Sequence, residues 1–424
     1  MNGALRIGYE GAARLARALA AFAPSSGNKL VRTFASRRGV VSRYEAFARD
    51  RSRPLLWMHA PSVGEGLQAR PVLDFMRQRA PRTQLAYTYF SPSAREFAER
   101  LAVDFRDVLP FDAAPDMGRA LEALSPNALV FSKLDVWPTL ARMASARGTR
   151  LGLVSATLAR ESSRRSGFAG ALLRDAYSRL DRVGAISAED ADRLIALGVP
   201  RARVTVTGDT RYDQVWARAA AVDVTSELLA PLASDRPTLV AGSTWPADDA
   251  VLLPAWERVA SRMPNVRLII APHEPTADHL EPIESWAAAS GLRAARLGSA
   301  GASDADVLVV DRVGVLGDLY ALATAAFVGG GFHAAGLHSV LEPAAFGAPV
   351  LFGPRHSASR DAGLLIDEDA AVSASDVESL GVALERWLLQ SGERDAAGGA
   401  ARLLVRRGLG AAERSYAMVQ ELLG

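Results

Sequence analysis

The sequence predicts two doubly wound α/β domains facing each other across a cleft, and three observations carry that expectation. Short apolar runs alternate with amphipathic helical stretches along nearly all of the chain beyond residue 54. Alternation at this spacing implies parallel sheets joined by right-handed crossovers. The pattern breaks once, near residues 212–236, and then resumes. The length of 424 residues suits two such units.

The elements follow in order. LLWM (55–58) is a continuous apolar run, as a strand buried on both faces requires. QLAYTY (84–89), ALVF (128–131), RLGLVS (150–155), RVGAIS (182–187) and VTVTG (204–208) complete a first series of strands. PTLVAGS (237–243) opens a second, continued by VRLIIAP (266–272), DVLVVD (306–311), AAFVGG (325–330) and PVLFG (349–353). Helical patterns lie between them, including one from about Leu67 to Gln78. The domain boundaries read as a basic amphipathic segment at 1–53, a first domain at 54–215, a linker at 216–236, and a second domain at 237–424. The second domain is expected to include C-terminal helices at about 375–390 and 409–423.

Composition narrows the chemistry. The chain has no cysteine, which excludes disulfides and thiolate catalysis. Its six histidines show no zinc-type spacing, and His333 and His338, five apart, suit one helical face poorly. Only Lys29 and Lys133 are lysines among 49 Lys and Arg, which marks Lys133 either as a ligand or as a leftover surface charge. Residues 1–53 hold 11 Arg/Lys and 3 Asp/Glu, a balance of +8, and the rest hold 38 and 44, a balance of −6. Within the basic part, GAARLARALAAFA (11–23) is too short and too charged to span a bilayer, and reads as an interfacial helix drawn to anionic lipid. A basic helix packed on the fold and an Arg-rich transit segment are the competing readings. No secretory signal is apparent, so the cytoplasm is the expected compartment, and no nucleic-acid partner is expected.

Candidate chemistry sits where strands end, because ligands bind at the C-terminal edge of such sheets. In HAPSVGEGLQARPVL (59–73), Glu65 lies between Gly64 and Gly66 at a strand-to-helix turn. Ser62 and Glu65 fit a capping box, and the same glutamate fits a catalytic base approached closely over flanking glycines. FSKLDVWP (131–138) places Lys133 and Asp135 at the same edge, and GDTRYDQV (208–215) places Arg211 near the domain junction. In the second half, AGSTWPADD (241–249) offers Ser243 and Thr244 as phosphate ligands or helix caps. APHEP (271–275) offers His273 and Glu274. FVGGGFHAAGLHSVLEP (327–343) combines three glycines, Gly336, His338 and a helix expected from about Ser339. Free amides at a helix N-terminus bind anions, and Glu342 is placed to accept from ribose hydroxyls.

Taken together these stretches resemble the Kdo (3-deoxy-D-manno-octulosonic acid) transferases of lipopolysaccharide assembly. The matching stretches, in the family's order, are HAPSVGEG (59–66), KLDVWP (133–138), GDTRYD (208–213), AGSTW (241–245), APHE (271–274), DRVGVLGDLY (311–320) and GGGFHAAGLHSVLEP (329–343). The chain departs from the pattern at Lys133-Leu134-Asp135, where many members have an acid-x-acid. It departs again at Arg211 for Lys, at His338-Ser339 for His-Asn, and at Gly314-Val315-Leu316 for Gly-Glu-Leu.

The resemblance implies a glycosyltransferase of the B type, with two Rossmann-like domains. It implies CMP-Kdo as donor, a lipid A precursor as acceptor, no metal ion and no other cofactor. Glu65 would be the base of an inverting displacement. The donor would be held by Ser243, Thr244, His273, Glu274, Gly314, Val315, Leu316, Gly336, His338, Ser339 and Glu342. Ser62, Gly64, Lys133, Asp135 and Arg211 would serve the acceptor or the Kdo carboxylate. The basic N-terminus would seat the enzyme on the anionic cytoplasmic face of a bacterial inner membrane. A UDP-sugar transferase or epimerase of the same fold, and a nucleotide-binding relative without catalysis, are the rival readings.

Overall fold

A computed structural model describes residues 3–24, 28–159 and 167–424. They form two compact units, Met1–Gln214 with Leu409–Gly424, and Val215–Gly408.

The first unit is built on seven parallel strands: β1 (Leu55–His59), β2 (Gln84–Tyr89), β3 (Phe105–Val108), β4 (Ala128–Ser132), β5 (Arg150–Ala156), β6 (Arg182–Ala185) and β7 (Val204–Val206). Their order is β3-β2-β1-β4-β5-β6-β7. β1 and β4 are buried at every residue, which is why their sequences are unbroken apolar runs closed by a single polar residue. β1 pairs with β2 in the register Leu55↔Gln84 to His59↔Thr88, and with β4 from Leu56↔Ala128. The strand order reverses between β1 and β4. The loops after these two strands therefore diverge and leave the crevice in which doubly wound sheets bind ligands.

The second unit repeats the plan with β8 (Thr238–Thr244), β9 (Arg267–Pro272), β10 (Ala294–Arg296), β11 (Val307–Val309), β12 (Ala325–Val328), β13 (Val350–Phe352) and β14 (Ala371–Ser373). The order is β10-β11-β9-β8-β12-β13-β14, with the reversal between β8 and β12. Trp256, Trp387, Phe327 and Phe352 are fully buried there, as Trp57, Tyr44, Tyr87 and Phe131 are in the first unit.

The structure corrects the sequence reading in four places. β3, β10 and β14 were not expected. All are sheet edges, where strands stay short and interrupted by charge, like Arg106-Asp107 in β3. The expected linker 216–236 belongs to the second unit. The helix Thr210–Ala221 runs across the boundary, and Leu229 and Leu232 sit in the second unit's core. The last helix, Ala411–Leu423, packs on the first unit and not on the second. Met418, Val419 and Leu422 join the first core, Gly152 of β5 faces Leu422, and Asp213 accepts from the amides of Gly410 and Ala412 at the helix start. Finally, residues 1–53 are not a separate segment. Val40, Val41 and Tyr44 are core residues, and Arg37 is buried with bonds to the carbonyls of Thr33 and Phe90.

Candidate active site

β1 ends at His59, and the chain turns through Ala60 and Pro61 into the helix Val63–Arg79. Ser62 has extended N-cap dihedrals (φ −135°, ψ 177°), yet its side chain caps no backbone amide. The hydroxyl donates instead to the Glu65 carboxylate. The expected capping box is therefore replaced by a bond between the two side chains. Lys133 Nζ lies 3.3 Å from Glu65 Oε1, and the Ser132 hydroxyl donates to the Glu65 carbonyl at 3.0 Å. Burial works against the charged carboxyl, but the Ser62 hydroxyl and the Lys133 charge outweigh it and hold Glu65 below the usual carboxylate range. Its side chain is 19% exposed and that of Lys133 40%. A half-sheltered, ionised carboxylate thus sits at the switch point of the first sheet.

Lys133 reaches it from a residue at φ +67°, a region that non-glycine residues seldom occupy. Its amide still bonds the Val154 carbonyl at 2.9 Å, so β5 fixes the turn. The two glycines beside Glu65 differ. Gly64 is exposed, as close approach by a substrate requires. Gly66 is buried, and a Cβ there would come within 2.5 Å of Phe97 and 2.7 Å of the Tyr87 hydroxyl. Its role is internal packing, which corrects the reading that both glycines admit substrate.

Behind the pair lies a neutral histidine. Trp137 Nε1 donates to His59 Nε2 at 3.0 Å, so the proton of His59 is on Nδ1, facing the Thr88 hydroxyl at 2.9 Å. Burial pushes His59 down to about 3. Arg211 forks onto the buried Asp209 at 2.9 and 2.6 Å. The neighbouring Thr210 donates to the Gln68 carbonyl, which ties this loop to the Glu65 helix. Asp135 lines an apolar slot beside Trp137.

In the second unit the loops after β8, β9 and β12 meet at aromatic rings. Trp245 is stacked between His333 (4.4 Å, 9°) and His273 (4.7 Å, 29°), and His273 stacks on His338 at 4.5 Å. Trp245 Nε1 donates to His338 Nε2 at 3.2 Å. Burial first, then His273, hold His338 below its ordinary value. His333 and His338 are thus joined through an indole. Among the described residues, no group of three or more His, Asp or Glu is placed to hold a metal ion.

Asp248, fully buried, accepts from the amides of Trp245 (2.9 Å), Gly330 (2.7 Å) and Phe332 (3.0 Å). The amides of His333, Gly336 and His338 bond carbonyls of their own loop. The glycine-rich loop was expected to present free amides to an anion, and these ones are internally committed. The helix that follows is Leu341–Phe346, shorter and later than expected, and the exposed Ser339 precedes it. At β8, Trp245 and not Ser243 or Thr244 is the N-cap of the helix Pro246–Arg262, while Ser243 adopts φ 54° and Thr244 is buried. Glu274 is exposed. Glu342 is pushed up by burial, against the pull of Arg218. Arg218 pairs with Asp318 and reaches the Gly314 carbonyl, both at 3.3–3.4 Å, which braces the Gly314-Val315-Leu316 loop.

Sequence reasoning missed Trp245, Asp248, His333 and Arg218. Trp245, Asp248 and His333 lie inside the strand-end motifs, and the signal for Trp245 and His333 was the gathering of three histidine-bearing or tryptophan-bearing loops on strand ends of one sheet.

Two doubly wound units, each with its polar constellation at its switch point, give the fold of the B-type glycosyltransferases. Similarity to known proteins narrows the class. A family model described as 3-deoxy-D-manno-octulosonic-acid transferase (kdotransferase) matches residues 32–214. A 3-deoxy-D-manno-octulosonic acid transferase of Bordetella pertussis is 32% identical over 393 residues, covering 87% of each chain. One from Chlamydia muridarum is 30% identical, covering 81% of this chain and 80% of its own. The chain belongs to the Kdo transferase family. Among solved structures, UDP-GlcNAc 2-epimerase from Neisseria meningitidis superposes with a TM-score of 0.65 at 13% identity, covering 87% of this chain and 99% of its own. A UDP-N-acetylglucosamine 2-epimerase from Listeria monocytogenes, named as putative in its description, gives 0.64 at 14%, covering 87% and 96%. At such identities the likeness is one of fold alone.

The surface of the first unit carries one further feature. The helix Gly3–Phe22 is held by a side that buries Ala13 and Ala20 and carries polar contacts: Tyr9 donates to Asp112 at 2.8 Å, Glu10 pairs with Arg142 and Arg17 with Asp116. Its apolar side faces outward, with Ile7, Leu15, Leu19 and Phe22 between 51% and 85% exposed. No helix of the described residues is long and apolar enough to cross a membrane.

Proposed function

We propose that this Kdo transferase takes CMP-Kdo as donor and a lipid A precursor as acceptor, at the cytoplasmic face of a bacterial inner membrane. The observation that carries the reading is the ionised Glu65 carboxylate, held by Ser62 and Lys133 at the switch point of the first sheet. A base must be charged at working pH and within hydrogen-bond reach of the hydroxyl it deprotonates. Glu65 takes the proton of the acceptor hydroxyl as that oxygen attacks the anomeric carbon, and the bond to the CMP phosphate breaks on the opposite face. The anomeric centre is therefore inverted. Lys133 and Arg211 are the proposed partners of the sugar carboxylate or of acceptor phosphates.

Donor binding is assigned to the loops bearing Ser243, Thr244, His273, Glu274, Gly314, Val315, Leu316, Gly336, His338, Ser339 and Glu342. With two glycine-loop amides committed to Asp248 and three more to carbonyls of their own loop, the leaving phosphate is assigned to side chains, among them Ser243, Ser339 and His273. Membrane seating is assigned to the outward apolar face of the helix Gly3–Phe22.

The test is incubation with CMP-Kdo, generated in situ, and a tetraacylated lipid A precursor, followed by mass analysis of the lipid. A mass increase of one or more Kdo residues is expected. Glu65→Gln should lower turnover by about 10²–10⁴, the usual contribution of a general base, while CMP still raises the melting temperature of the variant. An unchanged lipid mass, or protection by UDP and not by CMP, overturns the reading.

A further inference from the structure

The loops after β1, β2 and β4 enclose a slot of about 350 Å³ at the ligand-binding edge of the first sheet. This volume falls in the range of roughly 300–1,000 Å³ of small-molecule sites. Pro61, Phe90 and Trp137 line it, with Leu172 and Leu173 from the helix Gly167–Ser178. Phe90 and Trp137 stack on each other at 5.0 Å and 23°. Tyr9 completes the lining, with its hydroxyl committed to Asp112. The slot adjoins both partners of the central ion pair in sequence. Pro61 precedes Ser62, which bonds Glu65, and Leu134, also at the slot, follows Lys133.

We infer that this slot holds one acyl chain of the acceptor while the acceptor hydroxyl lies at Glu65. The inference rests on the lipid acceptor proposed above. Among the described residues the lining has no cationic side chain, and Asp135 is its one carboxylate, which disfavours phosphates and sugar acids. A sugar or a nucleoside would leave its hydroxyls unpaired against proline, leucine and tryptophan. An alkyl chain needs no partner, and each methylene it buries strengthens binding roughly fourfold. Tyr9 belongs to the helix whose opposite side exposes Ile7, Leu15, Leu19 and Phe22, so one wall of the slot is the helix proposed to rest on the bilayer.

Brominated lauric acid tests this on the full chain, because bromine quenches indole fluorescence on contact and Trp137 lines the slot. Saturable quenching is expected in the wild type and should largely disappear in Trp137→Phe. Leu173→Glu should weaken the fatty acid by about tenfold or more, and Leu173→Met should restore it. In transfer assays, the ratio of kcat/KM for the acylated acceptor over its deacylated headgroup should fall by a similar factor in Leu173→Glu. Absence of saturable quenching in the wild type, or quenching as strong in Trp137→Phe, overturns the slot whether or not the Leu173 variants fold. Equal kcat/KM for acylated and deacylated acceptors overturns it while leaving the transferase reading intact. Saturable Trp137-dependent quenching without transfer to lipid sustains the slot and removes the acceptor assignment instead.

Discussion

Lys133 stands 3.3 Å from Glu65, and it changes what its neighbour can do. Burial alone would lift the Glu65 carboxyl, and the Ser62 hydroxyl and the Lys133 charge bring it below the usual range. A base acts only when ionised, so the acid limb of the kcat/KM profile should lie low in the wild type. Replacing Lys133 with Met removes a charge and a hydrogen bond that, with the Ser62 hydroxyl, oppose burial. The limb should then move to higher pH, with activity lost first on the acidic side. A profile unmoved by Lys133→Met would remove Glu65 from the role of base. Glu65 and Lys133 were both legible in the sequence, because each sits at the end of an unmistakable buried strand. Their pairing was not, since it depends on a left-handed turn at a non-glycine residue that no local preference indicates. Asp248 was illegible for a related reason. It looks like an acid in a helix first turn, and its three amide partners come from its own N-cap and from a loop more than 80 residues away.

The helix Pro138–Ala146 follows the Lys133 loop, and its N-terminus is held by Asp112, which accepts from the amides of Thr139 and Leu140 at 2.8 Å and from Tyr9. This one carboxylate therefore joins the outward-facing N-terminal helix to the loop that carries Lys133. Burial dominates its environment and lifts it to about 6 despite those three donors. A carboxyl raised on folding binds its proton more tightly in the native state. Its contribution to stability is fully present below about pH 4, the unfolded value, and is lost as the pH rises through about 6. Asp112→Asn should flatten this part of the dependence, read as the difference between variant and wild-type urea midpoints across pH 4–8. A parallel pair of curves would exclude the linkage. Glycine positions act at the same scale. Gly66→Ala forces a methyl against Phe97 and Tyr87 and should cost about 1–3 kcal/mol, the usual penalty of overpacking, measured by denaturant unfolding. The central strands were legible because burial on both faces demands unbroken apolar sequence. The edge strands β3, β10 and β14 were not, because an edge needs only backbone pairing and tolerates charge.

For the molecule as a whole, the sequence suggested that the N-terminus meets a membrane through its excess of positive charge, and the structure redistributes that charge. Of the basic residues in 1–53, Arg37 is buried, Arg17 pairs with Asp116 and Arg43 forks onto Asp107. The +8 balance of the segment thus overstates the field it projects. The helix Gly3–Phe22 turns outward apolar area, with Leu15 62% and Phe22 85% exposed, beside the exposed Arg6 and Arg14. Insertion of that area scales with buried apolar surface, whereas attraction through arginine alone would vanish within a Debye length of about 3 Å at 1 M salt. The two contributions separate in vesicle sedimentation. Binding to vesicles of mixed neutral and anionic lipid should survive high salt in large part. The double change Leu15→Glu and Leu19→Glu should lower partitioning by tenfold or more, since about 1.5–3 kcal/mol attends the burial of each leucine. Full release by salt, with no effect of the leucine changes, would return the membrane contact to the arginines and leave the apolar face without a role.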